Sequence, residues 1–306
     1  MYRKIIPATR SGEKQKSGPG LWRLPLAGLL AALLVACESR DAETPASTAL
    51  ANVSTLPSLT MESLQRERNI RVYLPPSYGS ADKRYPVLYM HDGQNLFDDA
   101  TSYVGEWGVD EILNGLAESR GLELIVVGID HGGDWRMTEL NPFDHEKFGD
   151  GQGDAYLDFV VDQLKPLVDS QYRTLPDRAN TAIMGSSMGG LISHYAISRH
   201  PQVFSKAGIF SPAYWAGPQI FDTAERQLPG DARLYLLMGG KEGPTMVDGF
   251  ENMGEILTRS HPQQGWRAKL VAEGDHNEAF WRGELGEAIL WLFEPDENFA
   301  TRSGEE

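Results

Sequence analysis

The chain has 306 residues, 41% of them hydrophobic and 23% charged, the balance of a globular protein rather than of a disordered, fibrous or polytopic membrane one. Its 28 Lys and Arg stand against 43 Asp and Glu, a formal charge of −15, which argues against any partner gripped through phosphates and so against nucleic acid. One cysteine, Cys37, allows no intramolecular disulfide and no cysteine-based zinc site.

Cys37 follows a basic stretch (Arg3, Lys4, Arg10, Lys14, Lys16, Arg23) and an apolar run from Leu24 to Ala36. At 13 residues this run is too short to span a ~30 Å hydrocarbon core, and it has the size of a signal-peptide apolar region. Leu34-Val35-Ala36-Cys37 resembles a bacterial lipobox, in which the cysteine is lipidated and becomes the new N-terminus. Residues 1–36 are therefore expected to be a lipoprotein signal peptide. Residues 37–60, rich in Ala, Ser, Thr and Pro, read as a flexible tether. Cleavage removes six basic residues and one acid, so contact with the membrane must come from the acyl chains. Glu38, by resemblance to Gram-negative lipoproteins, implies an outer-membrane lipoprotein with its folded domain in the periplasm.

Residues 61–294 read as one domain, followed by a polar tail, 295–306. Short apolar runs alternate with longer amphipathic ones, the form of an α/β fold whose central sheet is mainly parallel, with helices on both faces. Strands are expected near 68–74, 86–91, 122–129, 180–185, 206–210, 233–238 and 266–272. The unbroken run Leu124-Ile125-Val126-Val127 suits a strand covered on both sides. Tyr156, Phe159, Val160, Leu164, Leu167 and Val168 keep helical spacing. A second helix is expected from Met188 to His200, where Pro201 forbids continuation, and a last one from Glu278 to Phe293.

Gly185-Ser186-Ser187-Met188-Gly189 fits G-x-S-x-G between a buried strand and a helix, the setting of a nucleophile elbow with Ser187 at its centre. A serine hydroxyl is a weak nucleophile until a base takes its proton. In α/β-hydrolases the chain order is Ser, then acid, then His, which leaves His200, His261 and His276. The first two adjoin prolines at helix exits, positions typical of solvent exposure or capping. His276 stands in a glycine-containing loop between the last strand and the last helix and is the expected base.

The acid should follow the strand preceding the histidine strand, which points to Glu242 in Gly239-Gly240-Lys241-Glu242-Gly243. Asp248 is the alternative, and Asp275 is expected at the surface. The oxyanion donors are expected to be the backbone N–H groups of Met188 and of Gln94, in the loop His91-Asp92-Gly93-Gln94. No cluster with metal-ligand spacing accompanies His91 and Asp92, so neither metal nor other cofactor is expected.

With these residues in view, the sequence resembles the esterase D group of α/β-hydrolases, which includes carbohydrate esterase family one, S-formylglutathione hydrolases, enterochelin esterases and mycolyltransferases. The resemblance covers about residues 65 to 293. It rests on Val72-Tyr73-Leu74-Pro75-Pro76, Tyr85-Pro86-Val87-Leu88-Tyr89, His91 to Phe97, Gly105-Glu106-Trp107, the Ser187 elbow, Ser211-Pro212-Ala213-Tyr214-Trp215 and Gly274 to Glu278. It implies Ser187 as nucleophile, His276 as base, and Met188 and Gln94 as oxyanion donors. Members commonly carry Asp where this chain has Glu242, and some siderophore esterases manage with a Ser–His pair, so the third member stays open. Trp135 and Trp215, in loops on the C-terminal side of the sheet, are candidates for stacking on a sugar or aryl group. The expected activity is hydrolysis of a small-molecule or glycan ester through an acyl-enzyme. An acyltransferase using the same intermediate and a non-catalytic binding lipoprotein are the alternatives.

Overall fold

The computed structural model describes residues 46–294. The leader, Cys37 and the C-terminal tail lie outside them. Among the described residues eight strands form one sheet: β1 (Val53–Met61), β2 (Arg66–Tyr73), β3 (Val87–His91), β4 (Ile125–Ile129), β5 (Thr181–Ser186), β6 (Lys206–Phe210), β7 (Arg233–Gly239) and β8 (Trp266–Val271). Their order is β1-β2-β4-β3-β5-β6-β7-β8. The β1–β2 and β2–β4 pairs are antiparallel, and every later pairing is parallel. Strands β3, β4 and β5 are buried along their whole length, which is why they read as apolar runs without alternation.

Helices cover both faces: α1 (Val109–Arg120), α2 (Gly153–Asp158), α3 (Met188–Arg199), α4 (Ile220–Gln227), α5 (Pro244–Ser260) and α6 (Glu278–Phe293). One face of the sheet packs on α2 to α5 through Tyr156, Leu191, Ile220 and Met253. The other packs on α1 and α6 through Leu113, Trp281, Leu285 and Ile289. After Asp158 the second helix continues as a π turn, Phe159–Leu164, and then as α-helix, Lys165–Gln171. Pro166 has no N–H to give to the preceding turn, and the wider winding accommodates that loss. Among the described residues no helix is long and apolar enough to cross a membrane.

The tether expected over residues 37–60 is corrected in its second half. Residues 53–60 belong to β1, and the segment before them is already held. Ser47 Oγ and the Thr48 N–H bond Asp98, the Leu50 N–H bonds Asp110, and Asn52 Nδ2 bonds the Leu74 carbonyl. The burial pattern of β1 is mostly exposed, so its strand character comes from pairing with β2 and not from its own hydrophobicity.

The sheet order reverses at β3: the chain goes from β3 out to β4, then returns to β5 on the other side. Loops leaving the carboxyl ends of β3 and β5 therefore diverge and leave a crevice between them, the place where open α/β sheets bind ligands.

Candidate active site

Ser187 is built by backbone geometry. It sits at φ 58°, ψ −118°, between the last residue of β5 and the first of α3. A side chain there is strained, and the strain lifts the hydroxyl out of the sheet. Its N–H donates to the Phe210 carbonyl at 2.9 Å, and its carbonyl accepts from Leu191 and Ala213. The turn is this tight because its flanks are glycine. A Cβ on Gly185 would stand 2.9 Å from Gly189, and one on Gly190 would stand 2.8 Å from the Phe210 carbonyl oxygen. Met188 opens α3, where the first-turn N–H groups have no intrahelical partner.

His276 lies in the loop after β8, just ahead of α6, whose start is fixed by the Asn277 side chain accepting the Phe280 N–H. Its Nδ1 is 2.7 Å from Glu242 Oε2. The Glu242 side chain is fully buried, whereas that of His276 is 36% exposed. Glu242 Oε1 accepts the Gly239 N–H at 2.8 Å and the Ser211 hydroxyl at 2.5 Å. The two loops meet closely because a Cβ on Gly239 would lie 2.5 Å from the Gly274 carbonyl carbon. A carboxylate oxygen accepts, so His276 Nδ1 is the donor in this contact and Nε2 is the ring nitrogen turned away from Glu242. Asp248 is exposed on α5, and Asp275, also exposed, accepts the His276 N–H.

The loop after β3 supplies the opposite wall. Gly93 lies flat on the end of β4, where a Cβ would meet Gly128 at 2.7 Å. Asp92 is paired with Arg136 through two hydrogen bonds, 2.6 and 2.8 Å. Burial alone would push the Asp92 carboxyl up, but the Arg136 charge and its hydrogen bonds outweigh burial and hold it below the usual range. His91 Nδ1 bonds Tyr156 Oη at 2.7 Å, and burial lowers its pKa to about 4, so it is neutral at pH 7. Glu278 accepts from Asn95 Nδ2, and burial, reinforced by the Asp92 charge, raises its carboxyl.

Ser187 and His276 line one cleft of about 330 Å³ together with His91, Asp92, Asn95, Tyr103, Trp107, Arg136, Glu278 and Trp281. Glu242 stands behind His276. Ser187 and His276 thus share one cleft, and a buried carboxylate holds the imidazole from behind.

The family described as "Putative esterase" matches residues 61–292. The chain belongs to this esterase family. It is 27% identical over 240 residues to an endo-1,4-beta-xylanase/feruloyl esterase of Xylanibacter ruminicola, covering 76% of this chain and 30% of that protein. It is 26% identical over 136 residues to the siderophore triacetylfusarinine C esterase of Aspergillus fumigatus, covering 42% of this chain and 44% of that protein. In fold it is similar to the enterobactin esterase FES from Shigella flexneri, at a TM-score of 0.67 and 21% identity, over 81% of this chain and 60% of that one.

In this esterase the two tryptophans expected to bind substrate are not among the residues lining the cleft. Trp135 is half-exposed beneath the Arg66 guanidinium, 3.8 Å from its ring centre. Trp215 packs with His145 and Phe148. The aromatic walls of the cleft are Trp107, Trp281 and the exposed Tyr103. His200 and His261 also differ from expectation, since both are buried; His261 Nε2 bonds the Ala232 carbonyl. Gln94 turns its side chain away from Ser187 into a neighbouring groove with Arg68, Asn69 and Asp130, and its Oε1 accepts the His131 N–H. Arg136, Glu278, Ser211 and Trp281 were not singled out by sequence reasoning. The signal for two of them was there, since Ser211 and Glu278 fall inside motifs that carry the family resemblance.

Proposed function

We propose that this protein is a serine carboxylic ester hydrolase acting through an acyl-enzyme on carbohydrate, aryl (feruloyl-like) or siderophore esters. The observation that carries the reading is the 2.7 Å contact between His276 Nδ1 and the fully buried carboxylate of Glu242, in one cleft with Ser187. Ser187 Oγ attacks the ester carbonyl carbon while His276 Nε2 takes its proton. The tetrahedral oxyanion accepts from the Met188 and Gln94 backbone N–H groups. Its collapse breaks the bond to the alcohol oxygen, which leaves with the proton held by His276. Water, deprotonated by the same nitrogen, attacks the acyl-serine, and the second collapse releases the acid and restores the hydroxyl.

The cleft favours a neutral aryl or sugar ester over a strongly anionic one. Trp107, Trp281 and Tyr103 supply aromatic walls, Asp92 and Glu278 offer acceptors for hydroxyl groups, and Arg136 is already engaged with Asp92. The relative named as a feruloyl esterase supports an aryl ester substrate, and the one named as a siderophore esterase supports a siderophore ester. Lipidation of Cys37 would hold the domain at the outer membrane, facing the periplasm.

Ser187→Ala is expected to lower kcat by roughly 10³-fold or more with folding intact, and to abolish labelling by a fluorophosphonate probe. Substantial turnover in that variant, or probe attachment at Ser186, would reject Ser187 as nucleophile. Rates on methyl ferulate, feruloylated sugar and ferric catecholate esters decide the substrate class. Cys37→Ser is expected to block lipidation, and normal detergent-phase partition of that variant would reject the anchor.

A further inference from the structure

Ser211 has a backbone conformation that an L-residue avoids. It follows β6 at φ 42°, fully buried, with its N–H on the Leu237 carbonyl at 2.7 Å. Glycine is the ordinary choice at such an angle. A serine there needs a reason, and the side chain supplies one. Trp281 Nε1 lies 2.8 Å from Ser211 Oγ, and Ser211 Oγ lies 2.5 Å from Glu242 Oε1. An indole N–H only donates, so Ser211 Oγ is the acceptor from Trp281 and its own proton is directed at Glu242. The chain of donors runs from Trp281 through Ser211 into the carboxylate, whose other oxygen receives His276 Nδ1–H.

We infer that Ser211 is a positioning residue for the catalytic acid, oriented by Trp281, which is at once a wall of the cleft and the fixed end of the chain. This rests on the reading of Ser187 as nucleophile and Glu242 as acid. The Glu242 side chain is fully buried, so its hydrogen bonds come from within the protein, and Ser211 is one of two donors on Oε1. With Oε1 held on one side, Oε2 can face only the imidazole, and the ring is kept in the tautomer that leaves Nε2 free. Trp281 also packs edge-on against His276, ring centres 5.0 Å apart, so both ends of the chain bear on the same base.

The test is a cycle of variants in the full chain, assayed on an activated aryl ester. Ser211→Gly suits the backbone and removes the hydroxyl. Its kcat is expected to fall about tenfold with KM within about twofold, while the melting temperature stays at or above wild type. Trp281→Phe keeps a ring against His276 but has no N–H, and is expected to lower kcat a few-fold. In a Glu242→Gln background, Ser211→Gly is expected to cost less than about twofold, because the carboxylate it served is gone. Wild-type kcat in Ser211→Gly, or the full loss persisting in the Glu242→Gln background, overturns the inference. If Ser211→Gly melts well below wild type, Trp281→Phe decides instead, and an unchanged kcat there overturns it. Full activity in Ser187→Ala would bring down the underlying reading and not this one alone.

Discussion

Two buried carboxylates lie within the same active site and are held in opposite ways. Asp92 is gripped by the Arg136 guanidinium through two hydrogen bonds, so its charge is neutralised where it stands. Glu242 receives only neutral donors, the Ser211 hydroxyl and the Gly239 N–H, on one oxygen, and turns the other to His276. A carboxylate already paired with a fixed cation has little field left for an imidazolium that forms during turnover. One held by neutral dipoles has no fixed cation beside it, and in the proposed mechanism its field is left for the imidazolium. The difference teaches that burial does not distinguish the two carboxylates, whereas their donors do, and it is on those donors that the proposed role of Glu242 as the acid rests.

The contrast is broken most severely by Glu242→Gln, which keeps size and removes charge. We expect kcat/KM to fall by ~10²–10⁴-fold, since an amide neither fixes the imidazole tautomer nor stabilises its protonated form. Asp248→Asn, exposed on α5, is expected to stay within about twofold, and steady-state kinetics on both variants check the assignment. If Asp248→Asn is the crippling change, the acid has been misplaced; if neither matters, a Ser–His pair describes the site better.

On the other side of the cleft, Arg136→Met leaves Asp92 buried and unpaired. Removing one partner of such a pair costs about 3–5 kcal/mol, to be read from urea unfolding at pH 7. The sign of the pH dependence sharpens the comparison. In the wild type, Arg136 holds the folded-state Asp92 carboxyl below its ordinary range, so the pair's contribution is complete above the unfolded value near ~3.9 and is lost as pH falls through the folded value. In Arg136→Met, burial is unopposed and the carboxyl moves up, so the deficit against wild type is expected to shrink towards pH 4. A deficit that is the same at pH 7 and pH 4 would mean that the pair's charge is not what stabilises this wall.

The smallest expected effect falls on Glu278, which faces Asp92 without a cation of its own. Burial and then the Asp92 charge raise its carboxyl, so folding favours its protonated form; that stability is present below the unfolded value and lost as pH rises through the folded one. Glu278→Gln is therefore expected to raise the melting temperature at pH 7 by under about 4 °C, with the gain vanishing near pH 4. A loss of stability at pH 7 would show that the carboxylate's bond with Asn95 outweighs its repulsion.

Where the signals are short-range, the sequence alone determined the structure. β6 and the last helix have the limits expected of them, because an apolar run between turns and an Asn cap are recorded within a few residues. The helix after Ser187 ends where Pro201 requires it to. The elbow was legible for the same reason, since Gly185 marks a close approach to Gly189 made within one strand-turn-helix unit. The pairing of Glu242 with His276 was legible only through the chain order of a fold.

What the tertiary structure decided spans long separations or depends on where a side chain turns. β1, with Pro57 in its middle and most of its residues exposed, is a strand only because β2 lies beside it. Trp135 and Trp215 stand in loops that open toward the substrate side, yet Arg66 claims the face of one and His145 with Phe148 the company of the other. Arg136 reaches Asp92 across 44 residues, and Trp281 reaches Ser211 across 70. Those partners are chosen by the crossovers that bring the ends of β3, β5, β6 and β7 to one edge of the sheet. Local propensity carries no record of such crossovers, because they follow from burying both faces of the whole sheet at once.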